Sequence, residues 1–163
     1  MMQDYSGEYD WIRAKDKTDF EIARKLFTEY ARSLDFDLCF QDFQKELKEL
    51  DTLYREPAGG LILMKEISSG EFAGCAGIRK LEERVAELKR MYIREHHRGK
   101  GLGQQLLDHA LGLARELKYE KIRLDTLGSM KAAIHLYRKN GFNHIEPYRH
   151  NPVKNALFLE LIL

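Results

Sequence analysis

The sequence predicts an α/β fold built on one mixed sheet, antiparallel in its early strands and parallel at a central pair, with about four flanking helices. Three observations carry this reading. Residues 61–67, 72–78 and 85–93 are strand-like runs joined by turn-length spacers, the pattern of antiparallel hairpins. After residue 101 the period changes: Leu102, Leu106, Leu107, Ala110, Leu113, Ala114 and Leu117 mark a strongly amphipathic helix. A short strand at 122–126 follows it, and a strand–helix–strand unit sets its two strands parallel.

The remaining elements fall into place around these. Residues 9–15, with Trp11 and Ile12, read as a first strand. Asp16 or Thr18 can cap the helix after it, whose apolar stripe is Phe20, Ala23, Phe27, Tyr30 and Ala31. A second short helix over 41–50 puts Phe43, Leu47 and Leu50 on one face, and Pro57-Ala58-Gly59-Gly60 breaks the chain before the hairpins. Ser68-Ser69-Gly70 is the first hairpin turn. Beyond the central strand, Ser129 is placed to cap a helix whose inward face is Ala132, Ala133, Leu136 and Tyr137, and Gly141 ends it. Residues 142–145 and 156–162 are the last two strands. The whole, residues 1–163, reads as one domain.

Composition excludes several classes. Apolar residues are 44% and charged residues 33%, which argues against disorder. The 27 basic and 26 acidic residues nearly cancel, so no nucleic-acid footprint is visible and any anion site must be local. No apolar run approaches the ~20 residues needed to span a membrane, and the polar residues 1–5 give no secretory signal. Cys39 and Cys75 form no close pair and sit among apolar neighbours, so both are expected as buried free thiols in a cytoplasmic protein. A homodimer is a common outcome for soluble chains.

The most informative stretch is Arg98-Gly99-Lys100-Gly101-Leu102-Gly103, between a strand and a helix start. Helix N-termini present unbonded N–H groups and partial positive charge, and glycines let the backbone come close to an anion. Arg98 and Lys100, with Arg94 nearby, add charge suited to a pyrophosphate. A nucleoside triphosphate loop would need Ser or Thr after Gly99-Lys100, where Gly101 stands. A dinucleotide fingerprint would need G-x-G-x-x-G, and here the spacing is G-x-G-x-G. His96 and His97 lie just ahead of the turn; no further ligand at metal-binding spacing accompanies them, so no metal is expected and they add positive potential.

This turn resembles the pyrophosphate signature of the GNAT family of N-acetyltransferases, Arg/Gln-x-x-Gly-x-Gly/Ala. A second stretch, from Ala133 through Leu136-Tyr137 to Gly141-Phe142, is similar to the family's A-x-x-L-Y-x-x-x-G-F. The order of elements fits along nearly the whole chain. The resemblance implies a GNAT-like sheet in which the strand ending Met91-Tyr92-Ile93 splays from 122–126, with acetyl-CoA in the opening. Pantetheine would bond main-chain groups of Met91 and Ile93, the turn from Arg98 to Gly103 would hold the pyrophosphate, and Tyr137 would protonate the leaving thiolate. Many members carry an asparagine against the pantetheine where this chain has Met130; Ser129, beside it, is the candidate replacement.

The implied reaction moves an acetyl group directly to a primary amine of a small molecule, without an acyl-enzyme, so Cys75 is read as core. A protein lysine or N-terminal acceptor, or a non-catalytic acetyl-CoA-binding module, are the alternatives. An amine must lose a proton to react. Glu87 is the candidate base, on a strand whose alternation would put Glu87, Lys89, Met91 and Ile93 on one face; the alternative is a solvent-facing Glu paired with Lys89 or Arg90. Tyr137 is equally readable as core packing. A main-chain N–H near Met91 or Tyr92 would stabilise the developing oxyanion. Tyr30, Phe36, Tyr148 and Arg149 are the acceptor-pocket candidates, and Arg149 could hold an acceptor carboxylate.

Overall fold

The computed structural model describes residues 7–38 and 42–163. Cys39, the predicted helix start at Gln41 and the N-terminal residues 1–5 lie outside the described residues. The first strand, β1 (Tyr9–Arg13), stops two residues before the predicted end: Ala14 still donates to the Leu61 carbonyl at 2.9 Å, but the Lys15 N–H is taken by the start of the next helix. The Asp16 carboxylate accepts the Asp19 N–H at 2.9 Å, and the Asp19 carboxylate accepts the Lys15 N–H at 3.0 Å. That reciprocal cap opens α1 (Lys17–Ser33), which buries Phe20, Ala23, Leu26 and Phe27. The second predicted helix is two short ones, α2 (Phe43–Lys48) and α3 (Leu50–Leu53), divided where Glu49 leaves helical geometry at φ −111° and ψ 19°.

The sheet is completed by β2 (Gly60–Glu66), β3 (Phe72–Glu82), β4 (Val85–Ile93), β5 (Lys121–Leu127), β6 (Asn143–His144) and β7 (Ala156–Ile162). A single 3-10 turn, Glu95–His97, leads from β4 to α4 (Leu102–Glu116), and α5 (Lys131–Lys139) lies between β5 and β6. The seven strands run in the order β1-β2-β3-β4-β5-β7-β6. All neighbours are antiparallel except β4 and β5, which are parallel.

Each face of the sheet carries its own core. On one, Ala76, Ile78, Ala86 and Leu88 meet the α4 stripe of Leu106, Leu107, Ala110, Leu113 and Ala114, with Tyr137 and Phe142 from α5 and its end. On the other, Leu61, Leu63 and Cys75 meet Phe20, Ala23, Leu26 and Phe27 of α1, with Phe43, Leu50 and Tyr54. Burying each leucine, isoleucine or phenylalanine among them contributes roughly 1.5–3 kcal/mol. No helix among the described residues is long and apolar enough to cross a membrane.

Two local expectations around α5 are corrected. Ser129 does not cap it: Leu127 and Met130 close a tight turn, N–H to carbonyl at 2.9 Å, which leaves Ser129 exposed and Met130 at the cap position with no side-chain bond. The inward face is Ile134 and Tyr137, with Ala133 and Leu136 half-buried, while Ala132 is exposed.

Candidate active site

β4 and β5 pair through only three positions, Val85 with Lys121, Ala86 with Ile122 and Glu87 with Arg123. Both strands continue, to Ile93 and Leu127, without further pairing to each other. The backbone of each then faces an opening instead of a neighbour, and unpaired N–H and C=O groups there are available to a ligand.

β4 also changes phase in this stretch. Lys89 opposes Gly77 and Tyr92 opposes Cys75, so Arg90 and Met91 together oppose the single residue Ala76. Arg90 takes up the extra length with φ +55°, a β-bulge in a residue other than glycine. Before the bulge, Ala86 and Leu88 face α4; after it, Met91 and Ile93 do. Glu87 and Lys89 therefore face α1 and α2, opposite to Met91 and Ile93, which corrects the uniform alternation expected from the sequence. Arg90 shares the α2 side, where its guanidinium bonds both Glu46 oxygens at 3.0 Å. The Cys75 thiol donates to the Arg90 carbonyl at 3.4 Å; this thiol is fully buried and its pKa is pushed up by burial, as a core cysteine requires.

The glycine-rich turn lies at the α4 end of this opening. Gly99 and Gly101 have φ of +82° and +72°, a region that side chains disfavour, and a Cβ at either would meet nothing within 4 Å. The glycines are thus required by backbone conformation beside open space, and Gly101 caps α4, whose first N–H groups have no carbonyl one turn back. This fits a bound diphosphate. Arg98 folds back, donating to the Ile93 carbonyl at 2.8 Å, and Lys100 reaches the Tyr9 hydroxyl at 3.4 Å.

Three neighbours of the turn do other work than expected. Arg94 bonds both oxygens of Glu29 at 2.9 and 3.1 Å, Glu71 at 3.0 Å and the Phe72 carbonyl at 2.9 Å, so its charge is engaged by the chain's own carboxylates and braces α1 against the start of β3. His96 and His97 grip Glu71, whose carboxyl is lowered to about 2 by hydrogen bonds first from His96 and then from His97. His97 is buried and its Nδ1 meets the Tyr9 hydroxyl at 2.8 Å. The ligand atoms of Glu71, His96 and His97 lie within 4.8 Å of one another, a grouping that sequence spacing hid because Glu71 stands 25 residues away. The Arg94 guanidinium already pairs with that carboxylate.

Tyr137 projects from α5 into the α4–α5 core, with its hydroxyl 3.9 Å from the Met91 sulfur. Burial raises its pKa well above the usual phenol range, and Tyr30 adds to the rise, so the hydroxyl keeps its proton. On the opposite face Glu87 is 1% exposed. Tyr148 donates to its Oε2 at 2.7 Å, Arg149 bonds the same oxygen, and Lys89 lies 3.8 Å from Oε1. Burial alone would raise the Glu87 pKa, but Lys89, Arg149 and Tyr148 outweigh it and hold the carboxyl below its ordinary value.

The acceptor candidates divide into two groups. Tyr30 and Phe36 line a cleft of about 50 Å³ with Lys89, Asp125, Met130 and Asn151. Tyr148 and Arg149 lie with Glu87 in a separate open hollow toward α2. Sequence reading missed Lys89, Asp125 and Asn151 as cleft residues. Nothing short of the bulge and the strand opening could bring them together. Met130, standing where the family's asparagine is, packs its sulfur 3.7 Å from the Thr126 hydroxyl.

Comparison with known proteins agrees with this geometry. The model of the acetyltransferase (GNAT) family matches residues 20–142. An uncharacterized N-acetyltransferase of Schizosaccharomyces pombe is 32% identical over 148 residues, covering 90% of this chain and 88% of that protein. A GNAT family acetyltransferase of Elizabethkingia anophelis, solved with acetyl-CoA bound, has a TM-score of 0.70 over 97% of this chain and 100% of that one, at 20% identity. Spermidine N-acetyltransferase of Vibrio cholerae, solved with CoA and spermine, has a TM-score of 0.68 over 96% of each chain, at 16% identity. The two solved structures share the fold, and the family match spans the glycine turn and Tyr137: the chain belongs to the GNAT family and is an N-acetyltransferase.

Proposed function

We propose that the protein transfers the acetyl group of acetyl-CoA directly to the primary amine of a small-molecule acceptor. The observation that carries this reading is the parting of β4 and β5 after Glu87 and Arg123, with a positive-φ glycine turn at one end of the opening and a polar cleft on the opposite face. Bound acetyl-CoA supplies the thioester carbonyl in that opening. Residues 98–103 hold the diphosphate through main-chain N–H groups and the charges of Arg98 and Lys100. Main-chain groups of Met91, Tyr92 and Ile93 line the pantetheine, and the N–H beside the Arg90 bulge faces the developing negative oxygen. Ser129, exposed at the turn after β5, is a further main-chain-side contact.

The amine nitrogen bonds to the carbonyl carbon as the carbon–sulfur bond breaks. Tyr137 gives its hydroxyl proton to sulfur and is reprotonated from solvent. The proton released by the amine passes through a water to Glu87. Three donors make Glu87 a weak base, so its main contribution is a negative charge near the forming cationic nitrogen. The small cleft suits a small acceptor, as spermidine is for the Vibrio cholerae enzyme of the same fold.

Calorimetry of acetyl-CoA binding to the wild type and to Gly101→Glu/Gly103→Glu tests the assignment. The wild type should bind, and the variant, with bulk and negative charge at the phosphate position, should lose at least 100-fold in affinity. Equal binding by the two proteins would refute the placement of the cofactor.

A further inference from the structure

Glu71, His96 and His97 have no part in the transfer proposed above, yet their ligand atoms lie within 4.8 Å of one another. The two imidazoles converge on one carboxylate oxygen. Oε2 of Glu71 is 3.1 Å from His96 Nε2 and 3.3 Å from His97 Nε2. Around a tetrahedral zinc ligated at about 2.0–2.2 Å, neighbouring ligand atoms are about 3.3–3.5 Å apart, so two sides of the triangle are already close to that length. His96 is exposed and can turn to close the third.

Two of the three ligands are held from behind. A tight turn fixes the Glu71 backbone: the Ser69 hydroxyl accepts the Glu71 N–H at 3.1 Å, the Glu71 carbonyl accepts the Glu66 N–H at 2.8 Å, and Gly70 donates to the Glu66 carbonyl at 2.9 Å. His97 is 2% exposed, and its Nδ1 meets the Tyr9 hydroxyl at 2.8 Å while Nε2 faces Glu71. An oxygen behind the second ring nitrogen is the usual support of a metal-binding histidine.

Ligand geometry, and not an excess of charge, defines the place. Arg94 takes the other Glu71 oxygen, Oε1, at 3.0 Å and both Glu29 oxygens, so it braces the carboxylate while Oε2 stays turned toward the imidazoles. Lys100 stands behind Tyr9, 3.4 Å from its hydroxyl, with Glu8 and Glu66 in its surroundings.

We propose that Glu71, His96 and His97 form a three-ligand site for a divalent transition cation of the zinc class, with water completing the coordination. Two imidazoles and one carboxylate, without a thiolate, suit zinc, cobalt(II) or nickel(II); calcium and magnesium take oxygen ligands instead. Each Nε2 gives its lone pair to the metal, so each neutral ring carries its proton on Nδ1, and His97 donates that proton to the Tyr9 oxygen. The metal ties the turn before β3 to the 3-10 turn that leads into residues 98–103. It steadies the approach to the glycine turn and takes no part in the acetyl transfer, so it stands or falls apart from the function proposed above.

The test is calorimetry of the chelator-treated protein with zinc sulfate, and visible absorption with cobalt(II) chloride. The wild type should bind one equivalent of zinc, and the cobalt(II) form should show the absorption of a tetrahedral ion. His96→Ala, at an exposed position, should lose tenfold or more in zinc affinity together with the cobalt band, while its metal-free melting temperature is unchanged. Glu71→Gln should lose as much. Tyr9→Phe removes only the support behind His97 and should lose about tenfold. Cooperative melting of each metal-free variant shows that it is folded. Absence of zinc binding by the wild type would overturn the proposal, as would zinc binding that survives His96→Ala. An affinity that Glu71→Gln or Tyr9→Phe leaves within about twofold would overturn it as well, because histidines alone would then be capturing the ion. Acetyl-CoA binding is measured separately, and neither result decides the other.

Discussion

The two faces of the sheet do related work with different materials. The α4–α5 face is an apolar core edged by a glycine turn, and its features rest on backbone conformation: φ at Gly99 and Gly101, the start of α4, the main chain of Met91. The α1–α2 face carries buried charges, Glu46, Glu87, Lys89 and Arg90: Glu46 pairs with Arg90 and Arg79 from the sheet, and Glu87 pairs with Arg149 and, along its own strand, with Lys89. A surface built from backbone geometry suits a ligand that does not vary, such as a diphosphate. A surface built from side chains can be altered one residue at a time, and it suits the variable reactant.

The comparison breaks most visibly at Glu46. It is 2% exposed and bonds Arg90 twice, Tyr54 at 3.2 Å and Arg79 at 3.7 Å. Glu46→Ala leaves the buried Arg90 guanidinium without its bidentate partner and should cost about 3–5 kcal/mol. Thermal melting should fall by about 10 °C for a chain of this size. A change under 2 °C would mean that the α1–α2 face does not depend on its charge network.

Glu87→Gln keeps the shape and removes the charge. It should lower kcat about 10- to 100-fold with acetyl-CoA affinity unchanged, since its face is not the cofactor's. A matching loss of acetyl-CoA affinity, read by calorimetry, would show that the faces are not separable. Tyr137→Phe probes the other side. Its phenol lies above the ordinary thiol value of about 8.5, so proton transfer to a thiolate is uphill and the expected loss in kcat is only about tenfold. A loss beyond 1,000-fold would give Tyr137 a larger role than acid to a good leaving group.

The same division explains what the sequence could disclose. The glycine turn and the Leu136-Tyr137 stretch were legible because their structure is local: a few consecutive residues set the backbone there. The amphipathic period of α4 foretold its buried stripe almost residue by residue. The charged face was not legible. Glu46 lies one helical turn from Phe43 and shares its buried side, yet an acidic residue in a short helix ordinarily reads as solvated. Its partners Arg79 and Arg90 are more than 30 residues distant. Lys89 and Asp125 line one cleft only because two strands stop pairing, an event with no signature in either strand. Arg94, His96 and His97 looked like part of the anion site because they adjoin it in sequence, while their partners Glu29 and Glu71 come from other elements.

The bulge at Arg90 acts on β4 as an edge dislocation acts on a lattice. On either side of it the rule of odd and even holds, with opposite parity: 86 and 88 share a side with 91 and 93. One strand can therefore address two chambers with residues that uninterrupted pleating would have lined up together. Deleting a residue at position 90 would restore a single parity and turn Met91 and Ile93, or Glu87 and Lys89, toward the wrong chamber. The length of this strand thus matters as much as its composition, since one residue more or less at Arg90 reassigns the residues beyond it.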